Sequence, residues 1–153
     1  MNKEDRKNAY LYCKFRDEQF ALYDEYAKRN GMLMKTLLVV NALFYAESGM
    51  TQTEIGQRTF QSKQTVNLII KNLLAESYVT VTEVPENKRN KIVQMTETGR
   101  AYYEKVVRHI TWAEDTAMAM FTAEEQKQLI DLSRTFTKNL AKLVNQETEE
   151  GEE

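Results

Sequence analysis

The sequence predicts a mainly α-helical fold carrying one small β wing, and three patterns point there. Apolar residues recur at helical spacing through most of the chain, and helix breakers are scarce, with five Gly and a single Pro. One central stretch switches to β-branched and aromatic residues. At 153 residues, 42% hydrophobic and 29% charged, the chain has the size and composition for a single domain with a substantial core.

Leu11, Phe15, Leu22 and Tyr26 place a first amphipathic helix from Asn8 to about Lys28, broken by Asn30-Gly31. Leu33 to Tyr45 is apolar nearly all round, with Leu37, Leu38, Val39, Val40, Leu43 and Phe44 close together, which predicts a central buried helix ended by Gly49. Thr51-Gln52-Thr53-Glu54 has capping-box spacing and starts a short helix to about Thr59. Ser62 is the next N-cap. Beyond it Val66, Ile69, Ile70, Leu73 and Leu74 form one apolar stripe, opposite Lys63, Gln64, Asn67 and Lys71.

The period then changes. Tyr78–Val84 and Ile92–Met95 read as two strands of a hairpin, separated by the polar stretch Pro85–Lys91, and such a hairpin needs support from neighbouring helices. Thr96 caps a long helix to about Met120, with Tyr103, Val106, Val107, Ile110, Ala113 and Ala117 on one side. Thr122 to Glu125 repeats the capping-box spacing, and Leu129, Leu132, Phe136, Leu140 and Leu143 mark a last helix. Residues 147–153 form an acidic tail with nothing to bury.

Several function classes are excluded by composition. No apolar run approaches the roughly 18 to 20 residues that cross a bilayer, and the first residues are hydrophilic, so the expected location is cytoplasmic, away from membrane. One cysteine, Cys13, and one histidine, His109, leave no internal disulfide and no zinc ligand set. Without a nucleophile–base pair, a phosphate-binding glycine loop or a metal cluster, the chain is expected to have no catalytic residues, no metal and no cofactor. The formal net charge of -2 conceals a segregation. Residues 1–50 carry eight basic and seven acidic side chains (+1), residues 51–110 nine and six (+3), and residues 111–153 four and ten (-6). The basic third is the middle one, so a local phosphate-binding surface is compatible with an acidic total.

Two short helices, the second capped and polar outside, followed by a hairpin with a basic tip, are arranged in the order of a winged helix-turn-helix. The first residues of the second helix are those that reach base edges in a major groove. Gln64 suits a bidentate contact with adenine, and Lys63 a guanine or a phosphate. Asn67 shares their face, and Ser62, Thr65 and Lys71 suit phosphates. At the tip Asn87-Lys88-Arg89-Asn90-Lys91, the cations Lys88, Arg89 and Lys91 suit the DNA backbone, with Arg89 the first choice for a narrow minor groove.

From Thr51 to Arg100 the chain resembles the MarR family of bacterial transcriptional regulators. Thr51-Gln52-Thr53-Glu54-Ile55 resembles the start of the family's first motif helix, which brings Thr51 and Gln52 into the expected DNA surface. Ser62-Lys63-Gln64-Thr65-Val66 resembles the recognition helix, Asn87-Lys88-Arg89 the wing signature, and Met95-Thr96-Glu97-Thr98-Gly99-Arg100 the segment that opens the next helix. The resemblance implies a homodimer built by residues 1–30 and 100–146, with a winged-helix lobe over 33–99. It further implies a pseudo-palindromic double-stranded operator, repression, and release by a small aromatic effector or an oxidant. Two positions depart from the pattern: Asn87 stands where the wing has an aspartate, and Ser77 where a glycine ends the recognition helix. A left-handed Ser77 would cost about 1 kcal/mol.

The alternative is a dimeric winged-helix module that binds another protein instead of DNA. Some relatives sense peroxide through a first-helix cysteine, but the surroundings of Cys13 fit a passive thiol. The aromatics Tyr10, Tyr12, Phe15, Phe20, Tyr23, Tyr26, Phe44, Tyr45 and Trp112 are expected to be mostly core, the alternative being the lining of an effector pocket between the dimer helices and the DNA-binding lobe, and His109 an interface or surface residue.

Overall fold

A computed structural model describes residues 2–146. The expected acidic tail, 147–153, lies outside the described residues, as does the side chain of Lys88. The chain divides at His109/Ile110 into two compact units.

The first unit opens with α1, Lys3–Arg29. It starts five residues before the expected Asn8, because Asn2 caps it. The Asp5 N–H donates to Asn2 Oδ1 at 2.7 Å, and the Asn2 N–H donates back to Asp5 Oδ2 at 3.4 Å. This polar signal lies outside the apolar periodicity. Helix α2, Met34–Tyr45, is the central helix expected from its composition, burying Leu37, Val39, Val40, Leu43 and Phe44. Around it lie α3 (Gln52–Thr59), α4 (Lys63–Ala75), a small sheet and the first turns of α5 (Glu97–Ala119). Their core unites Ile55 of α3, Val66, Ile69, Ile70 and Leu73 of α4, and Tyr103 and Val107 of α5. Leu74, expected within that stripe, is 40% exposed. It lies about 90° around the helix from the centre of the buried face, beyond the reach of the core.

The sheet has three strands, not two. Strand β1, Met50–Thr51, joins β2 (Val79–Val84) and β3 (Asn87–Met95) in the order β1-β3-β2, all antiparallel, with Met50 opposite Val93. Two residues give no strand period, so β1 could not be read from the sequence. Gly49 leads into it at φ 76°, where an added Cβ would lie 2.5 Å from the Val93 carbonyl oxygen. The turn therefore needs glycine for both its backbone angle and its space.

Helix α4 ends on Ser77, left-handed at φ 61°. The Tyr78 N–H reaches back to the Leu73 carbonyl at 2.9 Å and the Ser77 N–H to Leu74 at 3.0 Å, a Schellman pairing built without glycine. Thr96 locks this corner to α5. Its hydroxyl donates to the Ser77 carbonyl at 2.8 Å and accepts the Gly99 N–H at 2.9 Å. A side chain at Gly99 would collide with the Tyr78 backbone.

The second unit holds the end of α5 and α6, Ala123–Val144. Thr122 and Glu125 form the expected capping box, at 3.2 and 2.8 Å. The Gln126 amide fastens the connection by donating to the Met118 and Phe121 carbonyls, both at 3.1 Å. Helix α6 buries no residue, and Leu132, Leu143 and Val144 are exposed. Of the aromatics expected to be core, only Phe44 is buried. Tyr10, Tyr12, Phe15, Phe20, Tyr45 and Trp112 are exposed, and Tyr23 and Tyr26 are half-buried. The stripe of α1 is thus real, but within one chain little covers it.

Tyr78, just before β2, clusters with Tyr102 and Tyr103 of α5, with Tyr78 and Tyr102 stacked at 4.6 Å. Burial, reinforced by Tyr102, Tyr78 and Glu76, pushes the Tyr103 phenol up to about 12 from its ordinary 10.0. A raised phenol pKa favours the neutral form in the fold, so its contribution is complete below about pH 10 and lost as pH climbs through about 12. Urea midpoints across this window should fall less steeply for Tyr103→Phe than for the parent. Parallel curves would contradict that origin.

Candidate nucleic-acid interface

The face that the sequence assigns to DNA is assembled by two caps and a tight turn. Thr51 Oγ1 accepts the Glu54 N–H at 3.1 Å while Glu54 Oε2 accepts the Thr51 N–H at 2.8 Å, which fixes the start of α3. Helix α3 ends on Phe60, left-handed at φ 55°, with the Phe60 and Gln61 N–H groups both directed to the Gly56 carbonyl. Gln61 Nε2 then donates to the Lys35 carbonyl at 3.1 Å, tying the turn to α2. Ser62 Oγ accepts the Thr65 N–H at 3.2 Å and donates to Thr65 Oγ1 at 2.9 Å, so α4 begins at Lys63.

With about 100° per residue, the four buried side chains of α4 fix which way its other side faces. Gln64, Asn67 and Lys71 are exposed on the side away from the core, as the apolar stripe requires, and Lys63 is exposed at the first position of the helix. Ser62 is exposed and Thr65 half-buried, their hydroxyls joined in the cap. Thr51 and Gln52 are half-buried at the start of α3, where the Thr51 hydroxyl is likewise engaged as a cap.

The wing is tighter than the seven-residue polar loop expected from Pro85–Lys91. Strand β3 begins at Asn87, and the reversal is made by Pro85 and Glu86 alone. Val84 pairs with Asn87 and Glu83 with Lys91, leaving Lys88, Arg89 and Asn90 bulged from the ladder. Asn87 Oδ1 accepts the Arg89 N–H at 3.2 Å, so this residue shapes the backbone of the tip. Arg89 and Lys91 are exposed. No ion pair among the described residues engages Lys63, Lys71, Arg89 or Lys91, although Glu83 stands opposite Lys91 in the ladder.

Two features were missed from the sequence. Phe60, in the turn between the helices, is 96% exposed, and Leu68 interrupts the polar face of α4. The first depends on a left-handed turn that a non-glycine residue does not announce. The second follows from helical phase, since Leu68 lies one turn beyond Gln64. Beside the turn, Phe20, Met34, Leu38 and Phe60 line a cavity of about 590 Å³ that also meets Lys35, Arg58 and Gln61. Gln61 Oε1 is buried with no hydrogen-bond partner. Cys13 is a half-buried free thiol on α1.

A capped helix with a free polar face, preceded by a short helix and followed by a two-stranded wing that pairs with β1, defines the class of winged helix-turn-helix proteins. Residues 31–90 match the sequence model of the MarR family. A regulator described as "HTH-type transcriptional regulator SarZ", from Staphylococcus epidermidis, is 25% identical over 135 residues, covering 88% of this chain and 90% of its own. Solved structures that share the fold include the following two. AbsC, a MarR family transcriptional regulator from Streptomyces coelicolor, has a TM-score of 0.77 at 15% identity, over 92% of this chain and 97% of its own. MepR of S. aureus, solved as a DNA complex, has a TM-score of 0.68 at 18% identity, over 85% and 96%. Over residues 31–90 in sequence, and in its fold, the chain is thus similar to the MarR family of transcriptional regulators.

Replacing Ser62 by Ala should lower stability by about 1 kcal/mol, within the range for a lost N-cap, while Ser62→Asp retains most of it. Chemical denaturation checks this. An Ala variant as stable as the parent would mean the cap contributes nothing.

Proposed function

We propose that the chain is a homodimeric, sequence-specific repressor that binds a pseudo-palindromic operator in the cytoplasm and is released by a small-molecule or oxidant signal. The observation that carries this reading is the exposed face of α4, where Lys63, Gln64, Asn67 and Lys71 stand clear of the core, together with the exposed Arg89 and Lys91 on the wing. Gln64 reads an adenine, with Lys63 and Asn67 beside it at base edges or phosphates. Lys71 and Thr65 meet phosphates. The Thr65 hydroxyl accepts its cap bond, so its own proton stays available to a phosphate oxygen. Ser62, Thr51 and Gln52 lie at helix starts, where backbone N–H groups also favour phosphate. Arg89 enters the minor groove, flanked by Lys88 and Lys91 on the DNA backbone.

Dimerisation has a physical motive. Tyr10, Leu11, Phe15 and Leu22 on α1, and Leu132, Leu143 and Val144 on α6, are apolar and exposed in the single chain. A two-fold partner covers them and places two copies of α4 about one DNA turn apart. The signal would act at the cavity beside Phe60. Its aromatic and aliphatic walls suit a small aromatic compound, Arg58 and Lys35 supply positive charge, and Gln61 Oε1 awaits a donor. That cavity adjoins the turn feeding α4, so filling it changes the angle of the recognition helix and shifts the population away from the DNA-competent state.

Titration against genomic DNA fragments at rising salt tests the DNA reading. Binding should weaken steeply with salt. Gln64→Ala should relax specificity at one base pair, by about 1 to 3 kcal/mol, and Arg89→Ala should weaken binding to all sequences with a shallower salt slope. No binding at low salt would favour a protein partner instead. For the signal, a thermal-shift screen of aromatic acids and oxidants should find one that alters both melting temperature and operator affinity. A screen with no such compound would count against release by a ligand.

A further inference from the structure

We infer that Leu68 is a specificity residue that recognises the 5-methyl group of a thymine. The inference rests on the reading of α4 as the helix in the major groove. Leu68 is 61% exposed and takes no part in the core that Val66, Ile69, Ile70 and Leu73 build from the same helix. By helical phase it stands about 150° from the centre of that buried face and within about 40° of Gln64. Lys71 lies one turn further on, so the outermost line of α4 reads Gln64, Leu68, Lys71, with Asn67 beside it. A single exposed leucine is ordinary on a protein surface. Its position here is not neutral, because its neighbours on this line, Gln64 and Lys71, are hydrogen-bond donors suited to DNA.

Within a major groove the thymine methyl is the one apolar group that a base pair presents, and aliphatic side chains recognise it. Leu68 follows Gln64 by four residues, a rise of about 6 Å along the helix. Stacked base pairs are about 3.4 Å apart, so the thymine falls within about two steps of the adenine that Gln64 contacts. One turn of helix then reads two neighbouring bases by different chemistry. Gln64 tests a donor–acceptor pattern, and Leu68 tests for a methyl.

The experiment uses the full chain and a tightly bound genomic duplex in which each thymine is replaced, one at a time, by deoxyuridine. That change removes a methyl and leaves pairing intact. At one thymine per half-site the parent should lose about fourfold in affinity, the effect of one methyl-sized group leaving an apolar contact. Leu68→Ala, exposed and with high helix propensity, should keep the parent's helicity and melting temperature. It should bind the thymine and deoxyuridine duplexes equally, each about as tightly as the parent binds the deoxyuridine form. Lys71→Ala should keep the discrimination while lowering the salt slope.

If no thymine responds to demethylation, or Leu68→Ala still discriminates, the inference fails while salt-dependent binding leaves the DNA reading standing. If the parent binds no duplex at low salt, both fall.

Discussion

The structure depends on the burial of Val66, Ile69, Ile70 and Leu73 against α2, the sheet and α5. Each such side chain taken fully from water contributes about 1.5 to 3 kcal/mol, so the stripe holds α4 in one rotational setting. A helix whose rotation is fixed on one side has its opposite side fixed as well. Lys63, Gln64, Asn67, Leu68 and Lys71 are exposed because the core requires four other residues of the same helix. The candidate surface and the core that stabilises are therefore two faces of one constraint.

Strain is concentrated where α4 begins and ends. Phe60 and Ser77 are the non-glycine residues with positive φ among those described, one before the N-cap of α4 and one after its last turn. Each costs about 1 to 2 kcal/mol in that conformation. Both turns are held by surrounding hydrogen bonds: Gly56 accepts from the first, and Leu73, Leu74 and Thr96 engage the second. Entry and exit of α4 are thereby set by short, tightly bonded turns. In the proposed mechanism, a change at the Phe60 turn, where the cavity lies, would be passed to α4 as a change of angle.

How much of this could be read from the sequence varies with the kind of signal. The core faces of α2 and α4 and the caps at Thr51, Ser62 and Thr122 could be read because periodicity and capping are local properties. Ser77 could be anticipated as a strained position, and its φ of 61° agrees. The early start of α1 was hidden because it rests on Asn2 and Asp5 alone. Strand β1 was hidden because two residues carry no pattern and its pairing with β3 is long-range. The fate of the aromatics on α1 was misread because periodicity shows that a stripe will be covered without showing by what. Within the candidate interface the polar residues stood out by chemistry, while Leu68, which belongs to neither the apolar stripe nor the polar set, drew no reading. The wing's bulge follows from a register shift that composition does not encode.

The central claim is that duplex DNA meets the side of α4 opposite its buried stripe, together with the wing. Lysine acetylation read by mass spectrometry, with and without a bound genomic duplex, tests it most directly. Lys63, Lys71 and Lys91 should become protected while Lys3, Lys138 and Lys142 react as before. Protection confined to lysines of α1 or α6, with Lys63 and Lys71 still reactive, would contradict the account.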